Sequence, residues 1–441
     1  TVADLAPGSP WAERGLRFDG DDDASLELAL FDRDGAPVIR YQPVATEGNA
    51  QPQREVASEP PAPDAMQSAD ELFFTGEHLE QYRHPTRDPQ DYWREALRRD
   101  PHDARCRTAL GRAALRRGEL AAAVTHLEAA VARLTRRHPN PVTGEAHYFL
   151  GLALRLLGRD DEAYARLAKA AWNYEWRSAA RYQLAVIDCR RRDWRSALDH
   201  TDAALDTNRD HNQAQALRAA VLRRAGCHPG AKAVLGRVLG PDPLDHWARY
   251  EQVLLAEASG QGDADALRGS FLARCRNDAQ TLLDLAFDYA DAGLRPEAIG
   301  LLDLHHAHPV VGAPVPNPLQ VSPATRYTLA WLLAQEGETG RSQAVLAEAR
   351  QSAPDYFFPS RLHEQLVLEW ALSCAGPDPL AAYGLGNYCF DRKRHGDALA
   401  RWERAREDAA RTGRAEAFAT VHRNLGIGYW NIRRDGPAAR A

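Results

Sequence analysis

The strongest constraint on this chain is a recurring spacing of small residues. In "ALGRAALRRGELAAAVTHLEAA" (residues 109–130), Gly111 is followed by Gly118, Ala123, Leu127 and Ala130; in "FLGLALRLLGRDDEAYARLAKA" (149–170), Gly151 is followed by Gly158, Ala163, Leu167 and Ala170. The steps are seven, five, four and three residues in both. The frame recurs 34 residues on at Ala185, Ala197 and Ala204, and 34 further at Ala219, Gly226, Ala231 and Leu235. Weaker copies fall around Val253, Ala286, Ala330 and Gly386, and Pro101, Pro243, Pro309 and Pro354 stand near unit ends. A period of this length is the mark of a stacked array. A small residue in each helix lets two antiparallel helices approach closely, the glycine between them supports the turn, and proline limits the second helix. Each pair buries its apolar stripe only against its neighbours, so the array winds into a superhelix with a concave groove.

These positions resemble the tetratricopeptide repeat. The resemblance covers most of the chain and implies an all-α fold: an α-solenoid, a right-handed superhelix of helix pairs, with a short β-hairpin remnant ahead of it. Three further stretches, "TGEHLEQYRHPTRDPQDYWREALRRDP" (75–101), "RHPNPVTGEAHYFLGLAL" (137–154) and "AYARLAKAAWNYEWRSAARYQLA" (163–185), resemble a group of large bacterial proteins. In those proteins a mutarotase-like β-sandwich domain of unknown function precedes the repeat array. The resemblance implies a carbohydrate connection and no particular reaction.

Outside the array, "ASLELALFDRDGAPVIRYQ" (24–42) reads as two strands. Leu26, Leu28 and Leu30 alternate, "DRDG" turns with Gly35 free to take positive φ, and Val38, Ile39 and Tyr41 return. One hairpin is marginal alone, so these strands either pad the helices or end a β-domain lying upstream. The organisation expected is a β segment over 1–42, a Pro-rich linker over 43–69 centred on "EPPAPDA", and the solenoid over 70–441. "TVHRNLGIGYWNIRRDGPAARA" matches the first helix of one more unit and stops before its second. Both this end and a start at Thr1 lead us to expect a chain cut from a longer one.

Composition narrows the function. The net charge of −6 argues against a nucleic-acid partner. The six cysteines are scattered without a CxxC, which favours free thiols over a disulfide framework or a zinc site. No run approaches a membrane span and no signal segment opens the chain, so a cytoplasmic location is the expectation. No GxSxG, HExxH or phosphate loop is present, so no catalytic residue and no cofactor is nominated. "GLGNYCF" (384–390) holds packing glycines of a repeat helix. "HHAHP" (His305, His306, His308) reads either as a core or helix-end group or as a metal site lacking its acidic partner.

Candidate binding residues come from the repeat frame. Within the tetratricopeptide family, places two, five, nine, twelve and thirteen of the first helix usually face the groove. In the first four full units these places hold Arg105, Thr108, Arg112 and Arg116; Glu145, Tyr148 and Arg155; Tyr182 and Arg190; and Gln213, Arg223 and Arg224. That is a basic lining with aromatic interruption, and guanidinium forks suit carboxylate, so an acidic peptide or protein segment, or the chain's own upstream β-domain, is the expected partner. The bland reading is that Arg stands for Lys throughout, the only lysines being Lys169, Lys232 and Lys393. The carboxylate-clamp subfamily has Lys, Asn, Asn, Lys and Arg where Thr108, Arg112, Phe149, Ala179 and Gln183 stand here, so that mode is not supported. Gly111 to Gly151 is six residues longer than the standard unit, the excess lying in "RRHPNPVTGE". This stretch is either a long elbow, with Thr143 starting the next helix, or a ligand site. In the second reading Glu145, Tyr148, Trp172 and Trp176 contact a glycan.

Overall fold

The computed structural model describes residues 12–15, 17, 25–43, 58–308 and 322–440. It separates into two units, residues 1–61 and 62–441. In the first, β1 (Leu28–Phe31) and β2 (Pro37–Tyr41) pair antiparallel, with Leu28 opposite Tyr41 and Leu30 opposite Ile39. The turn forms where the sequence places it: Gly35 has φ +84°, and the Asp32 carboxylate accepts from the Ala36 N–H at 2.8 Å. Residues 44–57 of the expected linker, and Pro309, lie outside the described residues.

The second unit is all-α, and its helical body begins earlier than expected. Pro63–Ala65 form a short 3-10 turn, and the Arg99 guanidinium donates to the carbonyls of Met66 (2.7 Å) and Pro63 (3.2 Å). Ser68 then caps α1, accepting from the Glu71 N–H at 3.1 Å while the Glu71 carboxylate accepts from the Ser68 N–H at 3.2 Å. Helices follow in antiparallel pairs. They are α1 (Ala69–Gln81) with α2 (Pro89–Arg99), α3 (Ala104–Arg116) with α4 (Leu120–Leu134), and α5 (Glu145–Leu156) with α6 (Asp160–Ala170). Next come α7 (Tyr174–Arg190) with α8 (Trp194–Thr207), α9 (Asn212–Arg224) with α10 (His228–Leu239), and α11 (His246–Ser259) with α12 (Ala264–Cys275). Then α13 (Ala279–Asp291) pairs with α14 (Arg295–Ala307), and α15 (Pro323–Gln335) with α16 (Thr339–Gln351). After a lone α17 (Leu362–Ser373), α18 (Pro379–Asp391) pairs with α19 (His395–Arg411), and α20 (Ala419–Gly428) and α21 (Gly436–Arg440) end the chain.

The small-residue frame acts as its spacing predicts. A Cβ added to Gly111 would sit 2.5 Å from Leu127 Cγ, and one on Gly151 would sit 2.6 Å from Leu167 Cγ, so each pair is packed through its glycine. The turns at Gly118 and Gly158 have φ of +76° and +74°. Buried Leu, Ala and Val form a chain of apolar clusters shared between successive pairs, as a solenoid requires. All six cysteines are free thiols. No helix among the described residues is long and apolar enough to cross a membrane.

Two features go beyond the repeat. The superhelix turns tightly enough that α13 returns to α5 and α7: Asp291 lies 2.8 Å from Arg155 Nη1, and Arg190 Nε donates to the Asp291 carbonyl at 2.5 Å. Between α16 and α18, moreover, α17 has no second helix of its own and lies across the inner face. Leu362 and Leu366 pack on the cluster built by α3 to α7. Gln365, only 2% exposed, donates to the Gly118 carbonyl at 3.1 Å. Arg361 forks onto Asp284 at 2.8 Å through both nitrogens, and His363 Nε2 stands 3.1 Å from Asp291. Thus α17 bridges α13 to the α3–α4 turn. The Ala330-to-Gly386 interval, 56 residues instead of 34, is where this helix was accommodated.

Candidate functional site

The arginines expected to line a basic groove have their charge met from within the chain. Arg105 on α3 pairs with Asp70 (2.7 Å) and Asp103 (3.1 Å). Arg112, further along the same helix, is held by three carboxylates, Glu77 and Glu80 of α1 at 2.8 and 2.5 Å and Glu145 of α5 at 2.8 Å. Burial raises the Glu77 pKa and Arg112 only partly offsets it. Arg116 shares Glu80 at 2.7 Å and is the most exposed of the three. Arg155 is 7% exposed and faces Asp291, while Arg190 faces Asp160 at 2.8 Å. Against a burial that favours the neutral acid, Arg155, His363 and Arg190 hold the Asp291 carboxyl far below the usual carboxylate range.

Arg223 is the most committed. Its Nε reaches Glu251 at 2.7 Å and its Nη2 reaches Glu297 at 2.9 Å, with Glu251 fully buried. Arg224 forks onto Glu297 at 2.6 and 2.5 Å. Tyr289 donates to Glu251 at 2.7 Å, completing the network. A free basic track is therefore corrected to a set of intramolecular ion pairs: each guanidinium that left water found a carboxylate on a neighbouring or returning helix. Tyr182, 7% exposed, packs near His211 and is likewise part of the interior, its hydroxyl pKa pushed well up by burial.

Apart from Glu145, the partner carboxylates were the residues missed, and a signal for one existed. Asp291 occupies place thirteen of the sixth unit, the place that holds Arg116, Arg190 and Arg224 elsewhere. Reading the frame past four units, and for acids as well as bases, would have exposed the charge reversal. The signal for α17 was the irregular interval after Ala330.

The elbow at 137–144 is tied down at Asn140 and Val142. Lys169 Nζ donates to Asn140 Oδ1 at 2.8 Å, and Asn173 Nδ2 donates to the Val142 carbonyl at 2.7 Å. Gly144, not Thr143, is the residue capping α5; a Cβ there would lie 2.9 Å from the Ala170 carbonyl. Glu145 is spent on Arg112, and Tyr148 packs on Trp176 with ring centroids 4.9 Å apart. Phe149 closes on the same indole at 5.6 Å. Of the four residues nominated for a glycan, three make internal contacts and Trp172 alone stands out, 69% exposed. Beside it Tyr174 is 68% and Val142 97% exposed. Lys169 Nζ lies 5.3 Å from the Trp172 ring centroid, and the Arg177 guanidinium 5.4 Å from that of Tyr174.

The histidine group takes the helix-end position. His305 Nδ1 meets Asn277 Oδ1 at 2.9 Å, and Asn277 Nδ2 donates to the His308 carbonyl at 2.7 Å. Burial holds His305 and His306 at pKa values of about 4, so both rings are neutral near pH 7. Among the described residues no group of three or more His, Cys, Asp or Glu side chains is arranged to hold a metal.

Residues 87–134 and 128–175 match the tetratricopeptide repeat family, so the chain carries such repeats. Among solved structures, it is similar to YrrB, a TPR protein with an unusual peptide-binding site, at 16% identity over 42% of this chain and 93% of that one, TM-score 0.36. It is also similar to a tetratricopeptide repeat protein from Parabacteroides merdae, at 15% identity over 70% of this chain and 100% of that one, TM-score 0.37. A third likeness is to Naa15/Naa10 bound to HypK-THB, at 12% identity over 84% of this chain and 67% of that one, TM-score 0.32.

Proposed function

We propose that this chain is a non-catalytic interaction scaffold whose partner, a protein segment carrying acidic and apolar side chains, docks on the patch formed by Val142, Trp172 and Tyr174. The carrying observation is the contrast in exposure: the groove arginines are paired internally, whereas Trp172 and Tyr174 stand in solvent with Lys169 and Arg177 over their rings. The three apolar residues share one surface because Asn173, between the two aromatics, is hydrogen-bonded to the Val142 carbonyl. Exposed Trp and Tyr flanked by cations have the composition of interface hot spots, and the cations favour carboxylates at the rim. The long elbow then serves to present Val142 beside the aromatics.

The test is a pulldown with quantitative mass spectrometry, comparing wild type with Trp172→Ala/Tyr174→Ala and with Trp430→Ala, an exposed indole elsewhere. The reading expects a partner lost only from the double variant; a partner set identical in all three would refute the patch. The bare Trp172 ring also suits stacking on a sugar face, which gives a second reading. A saturable shift in melting temperature with an oligosaccharide, abolished by Trp172→Ala, would favour it.

A further inference from the structure

A cavity of about 670 Å³ opens on the inner face where the turns after α5, α7 and α13 meet α17. Its volume lies in the range of small-ligand sites. Five arginines contribute to the wall, against three carboxylates, Asp160, Asp291 and Glu336. The pairings described above use most of the charge: Arg190 meets Asp160, Arg155 meets Asp291, and Arg295 meets Glu336 at 3.0 Å. Arg224 is met by Glu297 behind the wall. What remains is directional. Arg192, exposed at the α7–α8 turn with φ +59°, has no carboxylate partner among the described residues. Arg155, more than nine-tenths buried, leaves its Nε without a hydrogen-bond partner. The first residues of α14, Arg295 and Pro296, also face the cavity, and that helix has no side-chain cap, so its N-terminal dipole adds to the positive field. Trp194 and Trp331 supply half-buried aromatic wall. Burial and the nearby Arg155 lower the Arg190 pKa, the signature of cations crowded together.

We propose that this cavity binds a small oxyanion, a phosphate ester or a polycarboxylate, with its charge on Arg155, Arg192 and Arg295 and its body against Trp194 and Trp331. Arg155, Arg192 and Arg295 all line the cavity, and the planar guanidinium group suits either anion. The site is independent of the docking patch, and it borders His363 and Leu366 of α17, so occupancy would also pin that helix.

Isothermal titration of the intact chain with pyrophosphate and, separately, with citrate tests the proposal and distinguishes the two anion classes. Saturable binding of at least one is expected, weakened about tenfold in Arg192→Asn and in Arg295→Gln. Asn tolerates positive φ, so Arg192→Asn keeps the turn. Arg237→Gln, an exposed cation on α10, should bind as wild type. The absence of saturable heat with both anions would overturn the proposal. So would equal weakening by Arg237→Gln, which would mean diffuse charge attraction, or wild-type binding by Arg192→Asn and Arg295→Gln.

Discussion

Replacing Arg223 with Met removes the cation from a nearly closed site and leaves the methylene stem's volume roughly intact. Arg223 is 9% exposed, Glu297 5% and Glu251 0%. The substitution breaks the hydrogen bonds from Nε to Glu251 (2.7 Å), from Nη2 to Glu251 (3.1 Å) and from Nη2 to Glu297 (2.9 Å). The two carboxylates do not suffer equally. Glu297 keeps the fork from Arg224, whereas among the described residues Glu251 keeps only the Tyr289 hydroxyl at 2.7 Å. The cost is therefore that of one buried carboxylate stripped of its counter-charge, about 3–5 kcal/mol. Adding Glu251→Gln removes that charge, and its carbonyl can still accept from Tyr289. The double variant should recover most of the loss and lie within about 1–2 kcal/mol of wild type. Urea unfolding followed by circular dichroism measures this, with the transition slopes compared because repeat arrays can melt in parts. A single variant costing less than about 1 kcal/mol would sink the argument. A double variant no better than the single one would do the same, since the stranded charge would then not be the cause.

Three further outcomes are expected. Gly151→Ala places a Cβ 2.6 Å from Leu167 Cγ and should destabilise by about 1–3 kcal/mol, while adding Leu167→Ala should make the glycine substitution nearly harmless; additive losses would contradict close packing at that crossing. Burial, with the neighbouring Asp291 charge, raises the Asp288 pKa from 3.8 to about 7. The folded state thus holds a proton that the unfolded chain releases: this contribution to stability is full below pH 4 and is lost as pH rises through 7. Asp288→Asn should consequently match wild type near pH 4 and exceed it by up to about 4 kcal/mol at pH 8; parallel stability curves would refute the assignment. Gln365→Ala breaks the bond to the Gly118 carbonyl and should speed hydrogen exchange in α17 before the rest of the array; unchanged protection there would show that this contact does not hold the helix.

The repeat architecture was legible because it rests on local, periodic causes. Gly111 with Leu127 and Gly151 with Leu167 meet at the crossing their spacing implies, and Gly118 and Gly158 turn the chain where positive φ is needed. The hairpin at 28–41 was equally readable from alternation and a glycine turn. The frame also picked out arginines that turn out to be ion-paired within the chain. It did not state what each would meet. A 34-residue period specifies neighbours one unit apart, whereas Arg155 and Arg190 are answered by Asp291, more than a hundred residues on. That encounter depends on how tightly successive pairs rotate, a small angle summed over several units that no single unit encodes. The same accumulated rotation brings α17 against Gly118 from 247 residues away and leaves a cavity where α17 meets the turns after α5, α7 and α13. The sequence by itself therefore determined the helix pairs and their order, because those follow from contacts within one period. Only the tertiary structure decided which charges are spent, which aromatics stay exposed and where a ligand has room, because those follow from the curvature of the whole array.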